Sequence, residues 1–226
     1  MLVETVSSAG ERPRGRGRPV GADSENTRRG ILVAARGVIT ERGYQAATFQ
    51  QIAMRAGVSR PTLHYYFGSR EQIYDVLLAE VHHAMMGCVA EAQQQVGLRD
   101  QLASFLGSLQ RWSLEDADTL RFLVAARLEH HRGPHRAEAA ARIFAAVHSF
   151  YDSVVVEAMR RGELPSDIDA AAVADMLAGL FWGAGFHAGF LRHSTSDQDA
   201  GGVARQLLTL FESGLLESPV AAHIDA

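Results

Sequence analysis

The stretch from Thr48 to Phe67, TFQQIAMRAGVSRPTLHYYF, constrains this chain more than any other segment, because it spells two short helices around a tight turn. Ile52, Ala53 and Ala56 fall on one face of the first helix, Gly57 ends it, and Val58 fills the space between the two. Thr48 and Gln51 have the spacing of a capping box, and Ser59 stands where the second helix needs its N-cap. Pro61 falls in the first turn of that helix, where a missing amide hydrogen costs little. A pair of this kind is a helix-turn-helix, whose second helix enters the DNA major groove with its N-terminal residues against base edges. Leu63 is expected to point inward, which leaves Arg60, Pro61, Thr62 and Tyr65 as the readers. Arg60 can donate in a fork to guanine, Thr62 offers a hydroxyl or methyl contact, and Tyr65 can reach a phosphate or a thymine methyl.

The flanks have the same regularity. Ile31, Leu32, Ala35, Val38 and Ile39 predict a helix over 24–43 closed by Gly43. Ser69 and Gln72 repeat the capping-box spacing and open a long helix through Ile73, Tyr74, Leu77, Leu78 and Val81. Ile31-Leu32, Ala34-Ala35, Gly43-Tyr44, Thr48, Ile52-Ala53, Ala56-Gly57-Val58-Ser59, Thr62-Leu63, Tyr66-Phe67 and Arg70-Glu71 together resemble the N-terminal pattern of the TetR family of bacterial transcriptional regulators. The chain departs from that pattern at His64, where the family usually has a tyrosine whose hydroxyl, by the resemblance, touches the DNA backbone. An imidazole can also donate there, more strongly when protonated, so operator binding is expected to tighten as pH falls.

The expected fold is all-α: an N-terminal three-helix helix-turn-helix DNA-binding domain over 23–68 and a C-terminal helical ligand-binding and dimerisation domain over 69–226. Residues 1–22 precede them as a disordered basic arm. The candidate DNA-binding residues are Arg14, Arg16, Arg18, Thr48, Gln50, Ser59, Arg60, Pro61, Thr62, His64, Tyr65, Tyr66 and Arg70. Charge supports the division. Residues 1–80 carry 11 arginines against 8 acidic residues, whereas residues 81–226 carry 11 against 18. A basic head attracts phosphate and an acidic body keeps the rest of the chain off DNA. Every basic residue is arginine, as a GC-rich coding sequence would give.

From residue 70 onward no strand alternation occurs, and helices are expected near 69–95, 98–115, 117–131, 137–162, 168–193 and 198–217. The last two resemble the family's dimerisation pair, with Gly179 and Gly183 allowing close approach and Leu207, Phe211 and Leu215 lining the partner. A two-fold homodimer sets its reading helices about 34 to 36 Å apart and calls for a palindromic operator in double-stranded DNA. By the resemblance, the body binds a small molecule that tilts the long helix at 69–95 and releases a repressor from DNA. Few charges fall in the central helices, so the expected effector is apolar, such as a fatty acid or related lipid. Its candidate contacts are Phe105, Leu109, Trp112, Phe122, Phe144, Tyr151, Trp182 and Phe186, with His148 or His187 as a polar handle.

No cofactor is expected. His82, His83, His130, His131 and His135 make a weak metal set with a single cysteine, Cys88, and no tight carboxylate cluster. No nucleophile motif, phosphate loop or pair of catalytic carboxylates is recognisable, so the chain is not expected to be an enzyme. Met176–Leu191, the longest apolar stretch, is too short to span a bilayer, so no membrane is expected. With no signal peptide and one cysteine, a cytoplasmic location is expected.

Arg16-Gly17-Arg18-Pro19 in the arm resembles an AT-hook core, a thin charged ribbon suited to a narrow A/T-rich minor groove. An architectural DNA-binding protein acting through this arm is the alternative reading. If Arg14, Arg16 and Arg18 each neutralise a phosphate, deleting residues 1–20 should flatten the slope of log affinity against log salt by about 3, at roughly one unit per contact. An unchanged slope would remove the arm from the interface.

Overall fold

The computed structural model describes residues 20–115, 117–132, 137–187, 190, 206 and 209. Among these, the regular structure is helical: α1 (Val20–Arg42), α2 (Phe49–Arg55), α3 (Arg60–Tyr66), α4 (Arg70–Ala92), α5 (Leu98–Glu115), α6 (Ala117–Arg132), α7 (Ala137–Arg160) and α8 (Ala170–Phe186). The expected all-α head and helical body are both present. The arm lies outside the described residues, as does nearly all of the expected helix at 198–217.

Local chemistry sets most boundaries. Thr48 accepts from the Gln51 amide while the Gln51 side chain accepts from the Thr48 amide, so the expected capping box is complete. Ser59 caps α3 and Ser69 caps α4 in the same way. The second box is shifted by one residue, because Gln72 Oε1 reaches the Gly68 amide at 2.7 Å. Gly43 and Gly57 take φ of +79° and +66°, the left-handed conformation that turns the chain out of α1 and α2. The α5 start uses a distant cap, since Glu163 Oε2 accepts from the Leu98 amide at 2.6 Å. That bond holds the Glu163 carboxyl below its ordinary range and ties the α7–α8 connection to α5.

One apolar core runs through head and body, from Ile31 and Leu32 on α1 through Leu63 on α3 to Phe105, Phe150 and Phe181. Helix α1 packs against α2 on one side and against α4 and α6 on the other. In the body, α4 packs chiefly against α5 and α7, and α7 against α8. An aromatic column crosses the junction: Tyr44 in the α1–α2 turn lies 4.4 Å from Tyr74 on α4, and Tyr74 lies 5.7 Å from Phe122 on α6. Helix α7 is long and apolar enough to cross a membrane by composition, but Ile143, Val147, Phe150, Val154 and Val155 are buried in this core.

Candidate nucleic-acid interface

Two buried side chains fix the reading helix. Leu63, fully buried, anchors α3 from beneath, and Ile52 does the same for α2. Val58 packs between them, and its amide donates to Ala53 O at 3.0 Å, closing the turn. With Leu63 inward, the opposite face of α3 presents Arg60, Pro61, His64 and Tyr65 to solvent. Tyr65 is 82% exposed. Thr62 is half-buried, and its hydroxyl lies 2.7 Å from that of Ser59, so these two hydroxyls are occupied with each other. Gln50 is exposed on α2.

The His64 ring packs on Phe49, centroids 4.6 Å apart, which brings the imidazole beside the N-terminus of α2. Tyr66 is half-buried, and Tyr65 meets it edge to face at 5.1 Å. Arg14, Arg16 and Arg18 lie outside the described residues.

Arg70, one of the DNA-binding candidates, is also tied into the head. Its Nη1 donates to the carbonyls of Tyr44, Gln45 and Ala47 at 3.1, 3.3 and 2.7 Å. Its guanidinium also lies 4.3 Å from the Tyr44 ring centre, and Glu71 accepts from the Tyr44 hydroxyl at 3.0 Å. With its donors on the α1–α2 turn, Arg70 pins the start of α2 to the start of α4. Arg28 was missed as a contributor. Its guanidinium sits 5.2 Å from the Phe67 ring centre, which places the first half of α1 beside the end of α3. No sequence spacing announces that contact, because the residues are far apart in the chain.

The expected effector contacts divide. Phe105, Leu109, Phe122, Phe144 and Tyr151 are buried, whereas Trp112 and Trp182 are half-buried. Their rings pack on one another: Phe105 lies 4.5 Å from Phe150, Phe144 lies 5.4 Å from Trp182, and Phe181 lies 4.8 Å from Trp182. Burial pushes the Tyr151 phenol far up. The polar handles are elsewhere. His187 and Phe186 are exposed at the end of α8, and His148 is exposed on the outer side of α7 rather than inside the body. A cleft of about 790 Å³ opens between Tyr44, the outer side of α4 and the start of α7, and one of about 560 Å³ lies along α7 near Ser149 and Val156. Neither includes an expected effector residue.

Of the expected dimer residues, Gly179 and Gly183 are exposed on α8 in a stripe with Met176, Leu180 and Phe186, spaced three or four residues apart. Leu207, Phe211 and Leu215 lie outside the described residues.

A capped two-helix unit carried on a helical body is the helix-turn-helix architecture. Residues 31–77 match the profile of the bacterial regulatory proteins of the tetR family. Over those residues the head of the chain is a DNA-binding domain of the TetR type. It is 42% identical to the transcriptional activator FasR of Mycolicibacterium smegmatis over 79 residues, 34% of this chain and 36% of that one. It is 23% identical to the transcriptional regulator UidR of Escherichia coli K12 over 161 residues, covering 71% of this chain and 81% of that one. The fold is shared with FadR of Bacillus subtilis, solved in complex with stearoyl-CoA, at a TM-score of 0.64 and 19% identity over 83% of this chain and 98% of that one.

His148 yields a pH prediction. Its Nε2 lies 2.9 Å from Asp175 on α8 and its Nδ1 lies 2.8 Å from Asp152 on α7. Only the imidazolium can donate to both carboxylates, so Asp175 first and Asp152 second raise its pKa above 6.5. The bridge therefore contributes stability fully below the unfolded value and loses it as pH rises through the higher folded value. Urea midpoints of the parent and His148→Gln should differ most near about pH 5.5 and converge by about pH 8.5. A gap that does not change with pH would mean that the bridge carries no charge.

Proposed function

We propose that this protein is a repressor that binds a palindromic operator as a homodimer and is released by a small apolar effector. The observation that carries the DNA reading is the exposed face of α3, with Arg60 and Tyr65 in solvent and Leu63 locked beneath them. The division into a basic arm at 1–22, a reading head at 23–68 and an effector-binding, dimerising body at 69–226 belongs to this proposal. So do base contacts from Arg60, Pro61 and Thr62, backbone contacts from Thr48, Gln50, Ser59, His64, Tyr65, Tyr66 and Arg70, and minor-groove contacts from Arg14, Arg16 and Arg18. The exposed stripe of Met176, Gly179, Leu180, Gly183 and Phe186 supports a dimer, since an apolar helix face left in water favours association.

The effector is proposed to enter by separating the aromatic rings of α5, α7 and α8, of which Phe105, Phe144 and Trp182 are the centre. The stearoyl-CoA complex of FadR, a protein of the same fold, supports an acyl chain as the ligand class. The likeness to FasR is confined to a stretch of 79 residues and does not carry the sign of regulation.

Selection of bound sequences from a random DNA pool tests the core of the proposal. A single palindrome, released on adding palmitoyl-CoA, is the expected result, whereas broad A/T-rich recovery without dyad symmetry would replace it with the architectural reading. On the recovered site, parent protein should bind more tightly as pH falls from about 8 to 6, and His64→Tyr should lose that dependence. Parallel pH profiles for the two proteins would remove His64 from the backbone contact.

A further inference from the structure

A buried arginine joins the reading head to two helices of the body at once. Arg36 sits on the apolar stripe of α1, four residues after Leu32 and three before Ile39, and is only 8% exposed. Its Nη1 donates to Thr119 Oγ1 in the first turn of α6 at 2.5 Å, and its Nη2 donates to Glu80 Oε2 on α4 at 3.2 Å. A second head arginine faces the same place. Arg55 of α2 pairs with Glu41 of α1 at 2.5 Å and feels the field of Asp118, the neighbour of Thr119. Its guanidinium lies over Gly37, where an added Cβ would come within 3.0 Å.

Stability alone gives no reason for a charge at position 36, since desolvating a guanidinium is costly and an apolar side chain of similar volume often serves as well. Geometry does give one. A guanidinium is a rigid planar fork, and it meets acceptors on α4 and α6 together only at one placement of those helices relative to α1. A tilt of α4 against α6 lengthens one of the two bonds or forces the Glu80 side chain out of its present rotamer.

We propose that Arg36 is a positioning residue that sets the angle at which the body carries the reading head, by holding α1 to α4 and α6 simultaneously. Its effect on DNA rests on the dimeric, palindrome-reading function proposed above. Its effect on head orientation does not.

The test uses the full chain in a Cys88→Ala background, with spin labels at Met54→Cys on α2 and Val96→Cys between α4 and α5, both highly exposed positions. Dilution with unlabelled protein restricts the measurement to distances within one chain. The parent should give one narrow distribution. Arg36→Met should broaden it while the thermal midpoint stays close to the parent's, and Arg36→Lys should broaden it too, because an ammonium lacks the fork. Thr119→Val removes the α6 acceptor with little change of shape and should also broaden it, so it decides the matter if Arg36→Met fails to fold. On the selected palindrome, the affinity lost by inserting one base pair between half-sites should shrink about tenfold in Arg36→Met, the size of a strong pairwise coupling. A distribution unchanged in Thr119→Val and in folded Arg36→Met overturns the proposal, and so does an Arg36→Lys protein indistinguishable from the parent. A parent indifferent to half-site spacing would instead count against the palindrome reading, and the distance measurement would still decide Arg36.

Discussion

Helix α1 has to serve head and body at once, and the rest of the molecule is arranged around that constraint. Two helices of seven residues each cannot bury enough apolar surface to hold themselves together. They are held because α1, whose Ile31, Leu32, Ala35 and Ile39 belong to the shared core, packs against α2 as well as against α4 and α6. A helix shared in this way cannot be moved by the body without moving the reader.

Polar contacts add direction to that shared core. Arg70 places its donors on three consecutive-turn carbonyls, and the Tyr44–Tyr74–Phe122 column carries the same junction inward to α6. Apolar packing alone tolerates sliding by a fraction of a residue, whereas a guanidinium on fixed carbonyls does not. The junction therefore combines a non-directional attraction that holds the parts together with directional bonds that select one arrangement.

What could be read in the sequence follows from how local each interaction is. The boundaries of α2, α3 and α4 were legible because Thr48, Ser59 and Ser69 cap amides three residues away, and Gly43 and Gly57 end helices by their own conformation. The body helices were legible from periodicity and from Gly133-Pro134 and Leu164-Pro165. The role of Arg70 was not, since its acceptors lie 23 to 26 residues back in the chain. Half of the His148 bridge was visible in the four-residue spacing to Asp152, but Asp175 is 27 residues away on another helix. Arg36 did leave a trace, a charge standing on an apolar stripe, whose meaning depends on two helices that periodicity cannot place.

Pro61 removes a backbone amide from the first turn of α3, and the Ser59 and Thr62 hydroxyls beside it are turned toward each other. The start of a helix is ordinarily a cradle of free N–H groups for an anion, and here that cradle is partly dismantled. Arg60, the first residue of α3, is exposed at that end. Under the proposed function, this end of the reading helix therefore meets DNA through a long, hinged side chain more than through fixed dipoles, a contact that can shift over a short distance and weakens as salt is added.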